Sequence, residues 1–300
     1  MGTGKKIWRT VYPLLIWFGV QMIVQYIYLF VKAFEYIGAI GVDALTSFNN
    51  EEEFNKIMNY LLDVTAKDAL MLTLVCNVVT IAVLAIFYFY DKKKWDKHNA
   101  LNFNTVKNPM QYVLSSSVAV GCCIGFNIIV SIIAAIAIST LGEQVMDSYD
   151  TVASAIDTSP MFMQILTVVI SAPVCEELLM RGLIYKRLRS FAKPFTSALI
   201  SSAIFGIIHG NWVQFVYAFA VGFVAAYVYE YTRNLFAPIL FHMVANGVST
   251  MASTEALSPY FNTLMLGQEF ISITLTLCTV CTITGLIAMN HISKRKLIKE

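Results

Sequence analysis

Two adjacent carboxylates, Glu176 and Glu177, and an arginine, Arg181, stand inside an apolar run that begins near Met161. Ionisable groups at such depth cost at least about 2.5–3.5 kcal/mol each on insertion scales, so they persist where they are paired, wet or functional. Glu177 and Arg181 are four residues apart, which puts them on one face of a helix and lets them pair. Glu176 is rotated about 100° away from Glu177 and has no partner in its own segment. Paired with an imidazole, such a carboxylate can activate water as a general base.

Two imidazoles follow in later apolar runs. In Phe205-Gly206-Ile207-Ile208-His209 the Phe and His are four apart and share a face, as do the His and Asn of His242-Met243-Val244-Ala245-Asn246. Gly206 and Gly210 bracket His209 and would let another backbone approach closely. Singly, each histidine has a plain explanation as a hydrogen-bonded contact between helices, and Glu177–Arg181 one as interhelical glue. Three apolar segments that each carry one costly polar group are explained more economically by convergence on one cavity. There a Glu and a His could activate water, while a second His and an Asn amide donate hydrogen bonds to an oxyanion, a set suited to amide hydrolysis. Glu176, His209 and His242 could instead ligate zinc, since two His and one carboxylate form a known catalytic set. Residue types alone leave both readings open. Other protease signatures are missing from the sequence: there is no His-Glu-x-x-His, no Gly-x-Ser-x-Gly, and no Asp within an expected span. His98 and His291 lie in polar segments and read as solvated.

These groups need membrane helices to hold them. The chain has 300 residues, 57% hydrophobic and 13% charged, with a mean hydropathy of +0.65. A soluble domain has about a quarter charged residues, so the composition excludes one. Nothing in the net charge of +2 marks a nucleic-acid partner. The six cysteines all fall in apolar segments and read as small buried hydrophobes, with no disulfide framework or zinc ribbon. Apolar runs near 20 residues without period-2 alternation predict helical spans over about Val11–Val31, Ala69–Tyr90, within Met110–Leu141, from Met161 to about Lys186, Phe195–His209, Val213–Tyr229, Leu235–Met251 and Phe270–Met289. Gly121 and Gly125 mark a close-packing site in the third span. The short Gly210-Asn211-Trp212 turn makes the fifth and sixth antiparallel neighbours.

Residues 33–68, with an amphipathic helix over Phe54–Val64, and the loop 142–160 are acidic and fall outside. Lys5, Lys6, Arg9, Lys92–Lys94, Lys97, Lys107, Lys186, Arg187, Arg189 and Lys294–Lys296 fall on the cytoplasmic side by the positive-inside rule. The expectation is an all-α polytopic membrane helical bundle of about eight transmembrane helices, both termini cytoplasmic. It forms a single membrane domain over 1–300 with a motif-bearing core at about 160–250. Counted from the cytoplasmic ends, Glu176 and His242 lie roughly 10–15 Å deep and His209 nearer 20 Å, so the fifth helix must start outside the hydrocarbon, tilt or shift.

Glu176-Glu177-xxx-Arg181, Phe205-xxx-His209 and His242-xxx-Asn246, in this order on successive spans, resemble the CPBP family. This is the Abi or CAAX-protease group of intramembrane endopeptidases, which includes prenyl-protein CAAX endopeptidases and bacterial bacteriocin-immunity proteins. The resemblance covers about residues 160–250; the other spans match by topology only. It implies that Glu176 and His209 activate the water, that His242 and Asn246 stabilise the oxyanion, and that Glu177, Arg181 and Phe205 give structural support. It implies a multi-pass hydrolase of the cell membrane acting on a peptide or membrane-anchored protein; a prenylated substrate is less expected of a bacterial source. The family is often labelled metalloprotease, yet a metal-independent glutamate mechanism has been argued for its members, so zinc is a possible cofactor. Zinc-bound histidines usually donate their other ring nitrogen to a carboxylate or carbonyl. Glu177 has Arg181 as its natural partner, and Asn246 suits an oxyanion; both weigh towards direct action on water. The rivals are a non-proteolytic bacteriocin-immunity or scaffold protein, and a proton-coupled transporter using Glu176 and the histidines as a relay. A transporter should show internal repeats and paired broken helices, and neither is visible.

Overall fold

In lipid a backbone must satisfy its own hydrogen bonds, which long apolar runs do by forming helices. The computed structural model of the protein describes residues 2–40, 51–94, 108–253, 258–259 and 271–297. Among them there are ten helices and no strand. In chain order these are α1 (Thr3–Ile40), α2 (Glu51–Lys67), α3 (Ala69–Lys94), α4 (Met110–Leu141) and α5 (Asp147–Asp157). Then follow α6 (Met161–Leu188), α7 (Pro194–Ile207), α8 (Trp212–Thr232), α9 (Phe236–Ala252) and α10 (Ile271–Leu297).

Every expected span is a helix, and the chain is an all-α polytopic membrane bundle. Six helices, α1, α3, α4, α6, α8 and α10, are long and apolar enough to cross a bilayer, whereas α7 and α9 have 14 and 17 residues. At about 1.5 Å per residue those two fall short of a hydrocarbon core of about 30 Å.

Three boundaries differ from expectation. α1 runs on to Ile40, into the segment expected outside, because side-chain pairs keep its last turns folded. Lys32 pairs with Glu35 at 2.9 Å, and Phe30 meets Phe34 at 4.6 Å between ring centroids. The acidic segment 142–160 is largely helical, comprising a tight turn over Glu143–Met146 followed by α5. α10 passes through Lys294-Arg295-Lys296 to Leu297, since no glycine or proline stops it and Lys and Arg are good helix formers. Lys97, His98, Lys107 and most of residues 252–268 lie outside the described residues.

Among the described residues three apolar clusters form the core, and two of them carry the motifs. One joins α4, α8, α9 and α10 around Val118, Cys122, Cys123, Val221, Phe241 and Ala245. The expected close approach at Gly121 and Gly125 is present there: a Cβ on Gly121 would sit 3.1 Å from the Cys278 carbonyl, and one on Gly125 3.3 Å from Cys278 Cβ. The other cluster surrounds α6 with residues of α3 and α7, including Leu84, Leu179, Leu183 and Phe205, and the partly buried Trp17 of α1. His242 lies between Phe241 and Ala245 of the first cluster, and Phe205 belongs to the second. The three motifs thus meet at the seam between two packed units.

Candidate active site

α6 is irregular where it carries its motif. Wide π-type turns over Ile165–Ser171 and Leu178–Tyr185 flank a short α-helical stretch, Ala172–Glu177. Such turns occur frequently at functional sites. The first has a readable cause. The Ala172 N–H bonds the Thr167 carbonyl, five residues back. The next donor should serve Val168, but it is Pro173, which has no N–H. The orphaned Val168 carbonyl is taken by Asn246, whose Nδ2 donates to it at 2.8 Å. One amide proton of Asn246 is thereby engaged and the other is left for a second acceptor.

Glu177 is buried and its Oε1 accepts two hydrogen bonds, from Arg181 Nη1 at 2.8 Å and from His242 Nδ1 at 3.0 Å. The pairing with Arg181 is as expected. The expectation that this pairing leaves His242 without a carboxylate is overturned, because one oxygen has lone pairs for both donors. Arg181 is fully buried, and its Nη2 reaches the Gly222 carbonyl of α8 at 2.5 Å. Gly222 makes this possible: a Cβ there would lie 2.9 Å from the Phe205 ring and 3.2 Å from Arg181 Nη2. Sequence reasoning missed both Gly222 and the Val168 carbonyl. Their signals were a lone glycine in an apolar span and a proline five residues past the freed carbonyl.

Glu176, by contrast, keeps 22% of its side chain exposed. Its Oε2 lies 3.7 Å from His242 Nε2, too far for a hydrogen bond. Its carboxylate is therefore not occupied by that histidine.

Phe205 is buried and touches both imidazoles. It meets the His209 ring edge-on at 4.8 Å and the His242 ring edge-on at 5.7 Å, and the Arg181 guanidinium sits 5.3 Å from its ring centre. His209 reaches back along its own helix. Its Cα lies past the end of α7, but helical side chains lean back towards the N-terminus. His209 Nδ1 bonds the Phe205 carbonyl at 2.7 Å, which folds the ring back by about a turn. A carbonyl only accepts, so Nδ1 carries the proton and a neutral His209 presents a bare Nε2. The same logic, with Glu177 as acceptor, puts a proton on His242 Nδ1.

Gly206 allows the close approach expected of it, since a Cβ would lie 2.9 Å from the Phe215 carbonyl of α8. Gly210 does not: a Cβ there would meet nothing within 4 Å. Its φ of +77° is the reason for glycine, as the chain reverses into α8. Asn211 then caps that helix by accepting from the Gln214 N–H at 2.9 Å.

The fit to a metal follows from these positions. His242 with Glu177 behind it has the backing that metal-bound histidines use. Glu176 Oε2 and His242 Nε2 lie 3.7 Å apart, and His209 contacts the same Phe205 ring as His242. Among the described residues no three His, Cys, Asp or Glu side chains form a set that could hold a metal ion. Glu176, His209 and His242 do not make the zinc set as they stand, and no step below is routed through a metal.

A polytopic helical bundle with carboxylate, imidazole and amide groups gathered at its centre is the class these observations define. Residues 158–248 match the family described as "Type II CAAX prenyl endopeptidase Rce1-like". The chain is also similar to the protein named "Putative membrane peptidase YdiL" of Bacillus subtilis (strain 168), with 27% identity over 114 residues. That alignment covers 38% of this chain and 46% of the relative, so it spans about half of the relative's length. No solved structure matches the chain. The resemblance is confined to this part of the chain, and the matched residues contain all three motifs.

Proposed function

We propose that this protein is an intramembrane endopeptidase that hydrolyses a peptide bond in a membrane-associated peptide or membrane-anchored protein. It acts as one membrane domain, multi-pass in the cell membrane. The observation that carries this reading is the contrast between the two adjacent glutamates. Glu177 is buried and doubly bonded, whereas Glu176 is accessible and 3.7 Å from an imidazole that Glu177 holds in place.

In the proposed reaction Glu176 and the bare Nε2 of His209 polarise a water, and Glu176 takes its proton as the water oxygen attacks the scissile carbonyl carbon. The carbonyl oxygen gains the negative charge. It is met by the free amide proton of Asn246 and by His242 Nε2–H, a role that needs His242 protonated on both nitrogens. Such preorganised donors are worth about 3–4 kcal/mol each in comparable oxyanion sites. The C–N bond then breaks, and the leaving nitrogen takes the proton held by Glu176. Arg181 neutralises Glu177, and Phe205 packs against both imidazoles.

Purified protein in detergent should cleave a quenched fluorogenic apolar peptide. Cleavage should survive thorough chelation; loss on chelation with return on adding zinc overturns the direct-water mechanism. Absence of cleavage across a broad peptide set overturns the peptidase reading itself.

A further inference from the structure

Next to the site, α1 and the end of α7 enclose a cleft of about 410 Å³. α1 contributes Trp17, Gln21 and Gln25 among others, and the far wall is Ile207 and Ile208. The cleft lies against both halves of the proposed chemistry. Trp17 packs against the cluster that includes Leu178, two residues past Glu176, and Ile208 precedes His209.

Its polar content is unusual for the middle of a membrane helix. Gln21 and Gln25 are four apart and share a face. Gln21 Nε2 bonds Thr80 Oγ1 at 3.2 Å, which leaves its Oε1 available. Gln25 is exposed, and among the described residues nothing in the protein hydrogen-bonds its carboxamide. An unpaired carboxamide against hydrocarbon costs several kcal/mol. It is tolerated where something polar comes to it.

We propose that this cleft receives the substrate as an unwound apolar peptide segment, with Gln21 and Gln25 pairing with its backbone. This rests on the peptidase reading above. A peptide bond must leave its helix to be attacked, and its freed N–H and C=O groups then need partners within the bilayer. A carboxamide offers a donor and an acceptor together, which complements a peptide group. A lipid or isoprenoid chain has no use for it. The apolar walls accept the segment's side chains, and the end of the cleft at Ile208 adjoins His209. Gln21 and Gln25 are thus positioning residues for the substrate.

The test uses the full chain in vesicles of phosphatidylethanolamine and phosphatidylglycerol, with Phe18, an exposed wall residue of the cleft, replaced by benzoylphenylalanine. The probe is a biotinylated Leu/Ala peptide of about 20 residues with a central Gly-Pro pair, beside the same peptide without it. Light should cross-link the interrupted peptide and spare the uninterrupted one. Gln25→Leu should lower the yield about fivefold, the worth of one net hydrogen bond, with the melting temperature unchanged. Gln25→Met, at the same exposed position, guards against a folding artefact, and either variant should raise KM for cleavage more than it lowers kcat. Equal labelling of both peptides, labelling of lipid alone, or yields indifferent to Gln25 overturns the proposal. Cross-linking needs no cleavage, so the two readings fail separately. Gln25-dependent capture without cleavage overturns the peptidase reading and supports the cleft, and cleavage with Gln25-independent capture does the reverse.

Discussion

Asp91 and Glu177 are both carboxylates buried against arginine, yet they do different work. Asp91 gives one oxygen to Arg9 at 3.2 Å and the other to Arg187 at 2.7 Å, tying α1, α3 and the end of α6 together. Arg187 also donates to the Tyr12 hydroxyl at 2.9 Å and to the Arg9 carbonyl. Both Asp91 oxygens and all three Arg187 nitrogens have partners within that network, so it is a clamp. Glu177 gives one oxygen to a single arginine and to a histidine, tying α6 to α9. The histidine keeps its other nitrogen towards the accessible Glu176. A buried carboxylate becomes part of a site when one of its donors has a second, unspent atom facing a cavity.

Breaking the contrast between the adjacent glutamates should give the largest effect. Glu176→Gln keeps the shape and removes the base, so kcat for peptide cleavage should fall by about 10²- to 10⁴-fold with an unchanged melting temperature. A folded and fully active Glu176→Gln protein would show that the roles of the two glutamates are reversed.

Glu177→Gln should act on stability first. It leaves Arg181 charged and buried, for which about 3–5 kcal/mol is the usual cost. The double variant Glu177→Gln/Arg181→Met should recover part of that loss without recovering activity, because His242 has still lost its anionic partner. Thermal melts and cleavage rates on the four proteins of this cycle check the coupling, and independent effects would deny it.

Gly206→Ala probes the packing that sets His209. Its Cβ would press on the Phe215 ring at 2.8 Å and on the Phe215 carbonyl at 2.9 Å. Overpacking of this kind costs about 1–3 kcal/mol. Because α7 must shift to relieve it, kcat should fall in the molecules that remain folded.

Asp91→Asn sharpens the comparison from the other side. Arg9 is partly exposed and Arg187 keeps its bonds to Tyr12 and to the Arg9 backbone. The loss should therefore be about 1–3 kcal/mol, the cost of poorly satisfied buried polar groups. The cleavage rate per folded molecule should be unaltered, and a fall in it would mean that the clamp reaches the site.

The sequence by itself determined the helices and which of them carry costly groups. Apolar runs and turn residues are local, so eight helices emerged close to where they were expected, as did the antiparallel turn at Gly210. Glu177 with Arg181 was legible because the pair obeys helical spacing, four residues apart. Side-chain pairs joined across the fold were not. Glu177 and His242 are 65 residues apart, Asp91 and Arg187 are 96, and Asn246 and the Val168 carbonyl are 78. Only packing decided that one Glu177 oxygen serves two donors, that Gly222 lets a guanidinium reach the backbone, and that Phe205 touches two histidines. It also decided how His209 reaches back along its own helix, because the lean of a side chain depends on its neighbours in space. A sequence shows which groups are too costly to leave alone in a membrane, and the tertiary structure decides which partner satisfies each of them.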